Sequence, residues 1–219
     1  MKKLLFSLLI AVLAAPPLFA DDVALVSLRV AKENVVRQFA IEFYDDEAPQ
    51  TAANFKKLAK KGFYKGTAVH RAFAHALVQM GDPLSRKKDR SAVGTGGPGY
   101  TLPPEIRRKH VKGAIAAARL PDKINPSRVS NGSQFYVCLN AMPDLDGQYT
   151  VFGHVIWGLD TLDVISAKAV DSNDNPVQRI EVRSIKVLPR EKLPAAPGPE
   201  APGDGLAKPA KKSWWKIFG

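Results

Sequence analysis

The sequence contains a single cysteine, Cys138, among its 219 residues. A disulfide within the chain is therefore excluded, and a packed core has to supply the stability. Cys138 follows the apolar run Phe135-Tyr136-Val137, which is typical of a small buried side chain in a strand. No base that could activate the thiol is identified from the sequence, so the pattern does not favour a cysteine nucleophile.

Histidine is scarce as well, with four in the chain. Two of them, His70 and His75, fall in the stretch VHRAFAHALVQMGD at residues 69–82, together with an arginine, a glutamine and an aspartate. A zinc site needs three or four converging ligands, whereas this pair flanks a predicted bend and shares no obvious face. His110 and His154 have no ligand-like spacing, so the sequence predicts no metal site.

An apolar run long enough to cross a bilayer comfortably is lacking, since the run from Leu4 to Ala15 has roughly twelve residues. It follows a basic start, MKK, and precedes a stretch with proline and alanine that ends before Asp21-Asp22. This arrangement is that of a secretory signal peptide over residues 1–20, removed on export; an uncleaved anchor is the alternative. We therefore expect an exported protein in the periplasm, with secretion beyond it as the alternative.

Acidic residues are outnumbered, with 21 Asp and Glu against 32 Lys and Arg and a formal net charge of +11. Such a surface can attract nucleic acid, anionic lipid or acidic polymers of the envelope. The export signal argues against nucleic acid, so we expect no nucleic-acid partner. A solvated basic surface without a dedicated partner is the simplest interpretation.

Apolar periodicity is missing from residues 189–210, which are rich in proline, alanine and glycine. This segment is predicted to be a disordered linker that follows a folded domain at residues 21–188. The end of the chain, residues 211–219 (KKSWWKIFG), combines three lysines with two tryptophans, an isoleucine and a phenylalanine. Three roles stay open for this tail: weak contact with a membrane surface, docking into a partner protein, or none.

Between these ends the pattern is mainly β. Helical spacing of apolar residues predicts a helix at 51–60, with Pro49 in its first turn and Gly62 at its end. A second, short helix is predicted to begin at Asp160 as its N-cap. Many strands with only two helices predict a closed or nearly closed antiparallel barrel. The predicted strands are residues 23–30, 37–43, 69–73, 77–81, 113–118, 133–139, 149–155 and 179–188.

Six short motifs follow one another in a fixed order along this domain. They are His70-Arg71, Gln79-x-Gly81-Asp82, Gly94-Thr95-Gly96-Gly97, Asn131-Gly132-Ser133-Gln134-Phe135-Tyr136, Leu145-Asp146-Gly147 and Val151-Phe152-Gly153. The series resembles the cyclophilin family of peptidyl-prolyl cis–trans isomerases over about residues 23–188. The resemblance implies a closed eight-stranded antiparallel barrel capped by two helices, with a proline-binding groove on its outer surface.

Two of these motifs have other interpretations, which their context disfavours. GTGGPGY is rich in glycine, but Pro98 and the stretch LPPE follow it instead of a helix, so it is not a phosphate-binding loop. Asn131-Gly132-Ser133 fits a glycosylation acceptor, but an Asn-Gly pair here is better explained as a turn that enters a strand.

The chemistry of X–Pro rotation explains why an arginine suits this site. Resonance keeps the amide planar and gives a rotation barrier of ~18–20 kcal/mol. Twisting the bond leaves the prolyl nitrogen with a lone pair, so a fixed cation that donates to that nitrogen binds the twisted state better than either planar form. The resemblance places Arg71 in this catalytic role, since a guanidinium stays charged and its donors have fixed geometry. Gln79 would hydrogen-bond the neighbouring backbone or orient Arg71.

The resemblance also implies a set of residues that line the groove. These are His70, Phe73, Leu77, Ala118, Arg119, Gln134, Tyr136, Leu145 and Tyr149. Leu77, Tyr136 and Leu145 would form an apolar floor for the proline ring. Tyr149 would close one side, and His70 would be a hydrogen-bonding strut.

The remaining groove residues would hold the substrate by its backbone. The resemblance gives this role to Ala118, Arg119 and Gln134. The reaction implied by the resemblance requires no nucleophile, no metal and no organic cofactor.

The chain departs from the family pattern at Ala76, at Tyr136, where many members have phenylalanine, at Asp144, and in a longer loop at residues 120–130. Ala76 stands where the family usually has a pocket phenylalanine, and loss of that ring would weaken proline binding by ~1–3 kcal/mol unless the space is refilled. Phe73 or Tyr136 could compensate. Asp144 stands where cyclosporin-binding members have a tryptophan, so we expect weak drug binding.

Three functions are therefore compatible with the sequence. The first is an exported prolyl isomerase that assists the folding of proline-containing, unfolded or partly folded exported proteins. The second is a cyclophilin-like module that binds proline segments with little or no turnover, and Ala76 is the argument for it. The third is an envelope-associated adaptor or chaperone directed by residues 211–219.

Overall fold

The structure is a computed structural model that describes residues 21–33 and 35–196. The predicted signal peptide, the tail at 211–219 and most of the predicted linker lie outside these residues. No helix in the described ranges is long and apolar enough to cross a membrane.

Eight strands form a single antiparallel sheet. They are β1 (Asp22–Val30), β2 (Val36–Phe43), β3 (Arg71–Phe73), β4 (Leu77–Met80), β5 (Ala114–Ala117), β6 (Phe135–Cys138), β7 (Val151–Trp157) and β8 (Ile180–Pro189). Their hydrogen-bonded order is β3-β4-β6-β5-β7-β2-β1-β8. The predicted strands are therefore confirmed, with ends that differ by one or two residues.

The sheet curls into a half-barrel whose edges are β3 and β8. Residues just before β3 link the two edges, because Val69 N–H donates to the Ile180 carbonyl at 2.9 Å and Val182 N–H donates to the Thr67 carbonyl at 2.8 Å. Within the described strands, β3 and β8 do not form a continuous ladder. The closed barrel therefore stays a prediction.

The main core lies on the inner face of this sheet. Successive residues of a strand point to opposite faces, and Val78, Ile115 and Phe135 all point inward. The ring of Phe55, from the first helix, lies 5.1 Å from the ring of Phe135 and 5.4 Å from that of Phe152, centre to centre. Aromatic packing of this kind supplies the stability that a chain without disulfides needs.

The first helix, α1 (Pro49–Lys60), is confirmed with proline in its first turn. Its N-cap residue, Ala48, has no side-chain acceptor. The buried carboxylate of Glu105 replaces it and accepts hydrogen bonds from the backbone N–H groups of Gln50 and Thr51 at 3.0 and 2.9 Å. A residue distant in sequence therefore satisfies the free donors at this helix end.

The second helix, α2 (Leu159–Ser166), begins differently from the prediction. Its N-cap is Gly158, and Asp160 lies in the first turn, so the prediction of Asp160 as the cap is wrong. Gly158 has φ +81°, and a Cβ there would lie 2.4 Å from the Gln38 carbonyl oxygen. The close approach of the β2 backbone therefore places a glycine where sequence preference alone would choose a side-chain cap.

Candidate active site

A second apolar cluster lies on the face of β4, β5 and β6 opposite the main core. We call it the outer cluster, and it consists of Phe73, Ala76, Leu77, Ala114, Ala116, Ala118, Tyr136, Cys138, Met142, Leu145, Tyr149 and Val151. Strand alternation explains it, because Leu77 and Tyr136 point away from their inward-facing neighbours Val78 and Phe135. The fold thus brings six of the nine predicted groove residues into one cluster.

Arg71 lies at the border of the outer cluster, opposite Gln79 in the β3–β4 pair. Its guanidinium carbon is 5.1 Å from the centre of the Phe73 ring, since residues two apart on a strand share a face. Burial lowers the pKa of Arg71, while the charges of Asp174 and Tyr149 act in the opposite direction. A guanidinium keeps its charge at neutral pH despite such a shift. A positioned cation therefore borders an apolar surface.

Gln79 belongs to a chain of buried amides. Its Nε2 donates to Gln134 Oε1 at 3.0 Å. Gln134 Nε2 in turn donates to the carbonyl oxygens of Gly94 and Gly96 at 2.9 and 2.8 Å. The chain holds Gln79 beside Arg71 and connects two predicted site residues to the glycine-rich motif.

Asp82 joins the Gln79-x-Gly81-Asp82 motif to the glycine-rich motif by hydrogen bonds. Its fully buried carboxylate accepts hydrogen bonds from the backbone N–H groups of Leu84 at 2.7 Å, of Gly96 at 3.4 Å and of Gly94. A Cβ on Gly96 would lie 2.2 Å from Asp82 Oδ1, so no larger residue fits. The glycine-rich segment is thus a loop fastened by a carboxylate.

Asn131 forms the predicted turn into β6. Its Oδ1 accepts hydrogen bonds from the N–H groups of Ser133 and Gln134 at 3.3 and 3.1 Å, and its Nδ2 donates to the Gly96 carbonyl at 3.0 Å. These contacts place the side chain of Gln134 at the groove.

A polar group that the sequence analysis did not assign lies behind Tyr136. The Tyr136 hydroxyl is 3.0 Å from His110 Nε2, and His110 Nδ1 is 3.2 Å from Asp146 Oδ1. Burial lowers the pKa of His110, although Asp146 acts to raise it. The geometry fits a neutral ring that donates from Nδ1 to Asp146 and accepts from the Tyr136 hydroxyl at Nε2. This network holds the Tyr136 ring in place.

Accessibility differs among the members of the outer cluster. Tyr136 is fully buried, whereas Phe73, Met142 and Leu145 are each 8% exposed. Phe73 and Ala76 lie in the same cluster, so a phenylalanine from β3 is present near the position that lacks the family's pocket ring. A ligand that binds here meets Phe73 and Leu145 before Tyr136.

Arg119 covers one end of the outer cluster with its side chain. Its guanidinium carbon lies 4.4 Å from the centre of the Tyr149 ring, and its Nε donates to the Gln148 carbonyl at 2.9 Å. Its Nη1 lies 2.6 Å from Asp122 Oδ1, and only 2% of the side chain is exposed. The side chain therefore holds Tyr149. The backbone N–H of Ala118 donates to the Gln134 carbonyl at 2.9 Å and its carbonyl accepts from the Asn131 N–H at 2.8 Å, so a peptide can pair with the backbone of Arg119 but not with that of Ala118.

His70 is 5% exposed, and its ring nitrogens form no well-aligned hydrogen bond within the part of the chain that the structure describes, although the Ala68 backbone and the Gln134 side chain lie near the ring. Burial lowers the pKa of His70 more than the nearby charge of Asp82 raises it, which favours a neutral ring. Its role as a hydrogen-bonding strut therefore stays a prediction.

A cleft of about 290 Å³ opens beside the amide chain of Gln79 and Gln134. Ala118 lies in its wall, and so do Leu120 and Ile124, which are 56% and 69% exposed. Apolar side chains of the loop after β5 thus border the predicted groove.

The described residues contain no group of three or more His, Cys, Asp or Glu side chains that could hold a metal ion. Burial raises the pKa of Cys138 to about 12, so its reactive thiolate is disfavoured. The groups that the site presents to a ligand are therefore an arginine, amides and apolar surface.

Comparison with known proteins identifies relatives of this chain. Residues 27–187 match the family described as "Cyclophilin type peptidyl-prolyl cis-trans isomerase/CLD". The chain is 36% identical over 146 residues to a peptidyl-prolyl cis-trans isomerase of Synechococcus elongatus, which covers 66% of this chain and 88% of that protein. It is 35% identical over 151 residues to peptidyl-prolyl cis-trans isomerase-like 2 of Rhizopus delemar, covering 68% of this chain and 26% of that longer protein.

A solved structure has a similar fold. It is the crystal structure of a Cryptosporidium parvum cyclophilin type peptidyl-prolyl cis-trans isomerase in the presence of the dipeptide Ala-Pro, with a TM-score of 0.63 and 25% sequence identity. The match covers 75% of this chain and 98% of that chain. Family match, relatives and fold agree, and the chain therefore belongs to the cyclophilin-type peptidyl-prolyl cis–trans isomerases, a family of enzymes.

Proposed function

We propose that this isomerase is exported to the periplasm and accelerates X–Pro rotation in unfolded or partly folded exported proteins. The observation that carries the catalytic part is the position of Arg71 at the border of the outer cluster, beside Phe73. The argument for export is the signal-peptide pattern of residues 1–20.

In the proposed mechanism, the apolar surface of Phe73 and Leu145 receives the proline ring, with Tyr136 as support beneath it. Arg71 donates a hydrogen bond to the prolyl nitrogen as the amide twists and its lone pair becomes available. Because the planar amide nitrogen is a poor acceptor, this contact is stronger in the twisted state and lowers the barrier. No covalent bond forms or breaks.

The amide groups fix the rest of the peptide. Gln79 is oriented through Gln134 and accordingly presents its amide beside Arg71. The backbone at Arg119 is the proposed partner of the peptide backbone on the proline's N-terminal side, and Ala118, whose backbone groups are already paired, contributes only its side chain to the wall. The Ala-Pro dipeptide in the Cryptosporidium parvum structure supports a proline-containing ligand as the substrate class.

A second candidate function is a module that binds proline segments with little turnover. The observation that favours it is the complete burial of Leu77 and Tyr136, because a proline ring then contacts Phe73 and Leu145 but not these two residues of the predicted floor. Rate measurements separate the two candidates, since both bind peptide but only the first accelerates rotation.

The folding role is tested by refolding an unfolded exported protein whose slow phase is X–Pro isomerisation. Residues 21–219 should shorten that phase, and Arg71→Ala should abolish the effect. Arg107→Ala is the matched control, because Arg107 is exposed and its Nη1 donates to the Asp46 carbonyl at 3.1 Å, outside the outer cluster. An unchanged slow phase with well-folded protein would rule out this role.

Location is tested by expressing the full chain and sequencing the N-terminus of the protein from each cell fraction. The proposal predicts periplasmic protein that begins near Asp21. Recovery of cytoplasmic protein that still begins at Met1 would contradict it.

Deleting residues 211–219 and measuring release from the membrane fraction tests the tail separately.

A further inference from the structure

A second concave surface lies away from the outer cluster, where the segment after β4 meets the start of β8. Its lining residues are Gly66, Arg86, Lys87, Lys88, Arg90, Arg179 and Glu181, and its volume is about 570 Å³. We call it the basic pocket. It shares no residue with the cleft beside Gln79 or with the outer cluster.

Backbone carbonyls, rather than carboxylates, hold the arginines of the basic pocket. Arg179 donates from Nη1 to the Ser85 carbonyl and from Nη2 to the Gly66 carbonyl, both at 2.7 Å. Arg90 Nη1 donates to the Pro176 carbonyl at 2.8 Å. A carbonyl oxygen fixes a guanidinium without cancelling its charge, so the positive charge is both positioned and retained.

Arg86 is fixed in the same way. Its Nε donates to the Lys65 carbonyl at 3.2 Å, and its guanidinium carbon lies 5.4 Å from the centre of the Phe63 ring. Three guanidinium groups of the basic pocket are therefore oriented before any ligand arrives, which lowers the entropy that binding has to overcome.

The acidic groups near the basic pocket are too few to neutralise it. Glu181 is the only acid in the lining, and three guanidiniums share it: Arg183 at 3.4 Å, Arg29 at 3.7 Å and Arg179 at 4.0 Å. Outside the lining, Asp171 lies 3.8 Å from Arg90.

The two lysines of the basic pocket, Lys87 and Lys88, have fewer carboxylates within ion-pair distance than Arg90 and Arg179 have. Lys87 and Lys88 are both exposed, and neither takes part in an ion pair among the residues that the structure describes. Asp89, on the same loop, is the acid whose charge interacts with Lys87. The five lining cations together with Arg29 and Arg183 face three carboxylates, those of Glu181, Asp171 and Asp89, which leaves an excess of four positive charges.

We propose that the basic pocket binds a ligand that carries two phosphate groups. A phosphate monoester has ≈ −1.5 to −2 charge at neutral pH and three acceptor oxygens, so two of them balance the excess positive charge. Guanidinium groups match phosphate oxygens with paired donors, and the lysines add point charges at the exposed side. A peptide would need four acidic side chains within the same volume to supply equal charge.

Two sources supply this chemistry: a soluble diphosphate, or neighbouring phosphate headgroups of an anionic membrane. The first experiment titrates sodium pyrophosphate into residues 21–219 by calorimetry at low ionic strength. Lys87→Gln/Lys88→Gln should weaken binding by about tenfold or more, because it removes two charges that no ion pair offsets. Both side chains are exposed, so the variant should fold.

The matched control is Lys57→Gln/Lys61→Gln, which removes the same charge from exposed positions at α1 outside the basic pocket. It should keep the affinity of the unaltered protein. A second arm measures sedimentation with phosphatidylglycerol vesicles, with residues 211–219 present in every variant so that the tail contributes equally.

The outcomes are distinct. Binding of pyrophosphate that depends on Lys87 and Lys88 supports the proposal with a soluble ligand. Vesicle binding alone, with the same dependence, supports it with headgroups as the source. Binding of neither probe, or equal weakening in the control variant, overturns the proposal. None of these measurements depends on isomerase activity, so a result that overturns the phosphate proposal leaves the proposed function unaffected.

Discussion

The inner and outer faces of β4, β5 and β6 differ in the size of their side chains. The inner face is filled by large rings, with Phe55, Phe135 and Phe152 in mutual contact. The outer face carries four alanines around Tyr136 and ends at Arg71 and Gln79. A full core stabilises a fold, whereas on the outer face Phe73 and Leu145, each 8% exposed, are apolar side chains that a ligand can reach. Because successive side chains alternate between the two faces, the same three strands contribute one face to the core and the other to the candidate active site.

The largest expected effect is on the inner face. Phe135→Ala removes a fully buried ring and should lower the free energy of unfolding by ~3–5 kcal/mol, measured by urea denaturation. The isomerase rate per folded molecule should change little, because the ring points away from the groove. A large loss of rate in the folded fraction would show that the two faces are not separable.

A smaller effect is expected behind the outer cluster. Tyr136→Phe keeps the ring but leaves His110 Nε2 buried without its donor, which should cost ~1–3 kcal/mol of stability. Tyr100→Phe is the control, because the Tyr100 hydroxyl bonds Asn54 at an exposed site. Equal small losses in both variants would mean that the His110 network does not hold the ring.

The pH dependence of stability tests the same network. Burial lowers the pKa of His110 and His70, so below pH ~6.5 the unfolded chain binds more protons than the folded protein. The free energy of unfolding should therefore be highest above that pH and fall as the pH drops further, by at most ~1.4 kcal/mol per pH unit for each group.

His110→Gln removes one of the two titrating groups. Denaturation at several pH values should then show a shallower slope on the acid side than in the unaltered protein. An identical slope would exclude His110 as a source of the pH dependence.

The smallest effect is expected at Phe73, the ring that lies near Ala76 on the outer face. Phe73→Leu retains apolar volume but removes the aromatic face beside Arg71, an interaction of ~0.5–1 kcal/mol. The catalytic efficiency, kcat/KM, should fall by about two- to fivefold. An increase would instead mean that Phe73 obstructs the groove, which would favour the binding-module alternative.

The strands, α1 and the Asn131 turn could be predicted because their signals are local. Alternation gave the strand faces, and the Asn131 turn follows from residues close in sequence, whereas the glycine-rich loop is held by Asp82, Asn131 and Gln134, which lie 12 to 40 residues away. The start of α2 could not be found in this way, because Gly158 is required by the distant backbone at Gln38. Local preference pointed to Asp160 instead.

The network of His110, Tyr136 and Asp146 was missed for a similar reason. His110 lies 26 residues from Tyr136 and 36 from Asp146, so no spacing within one element relates them. The signal that existed was chemical: a tyrosine in a buried strand needs a partner for its hydroxyl. In the sequence, the only sign of the basic pocket was the positive net charge of the chain. Its cations come from two segments about ninety residues apart, since Arg179 is 94 residues from Ser85.

The central claim is that Arg71 stabilises the twisted amide rather than the bound peptide. The most direct test measures, by NMR exchange, the interconversion rate of an Ala-Pro peptide and its Kd, with unaltered residues 21–219 and with Arg71→Gln. The account predicts that the catalysed rate falls by ~10²–10³ while Kd changes by less than about fivefold. A loss of affinity with an unchanged rate at saturation, or no catalysis by the unaltered protein, would contradict it.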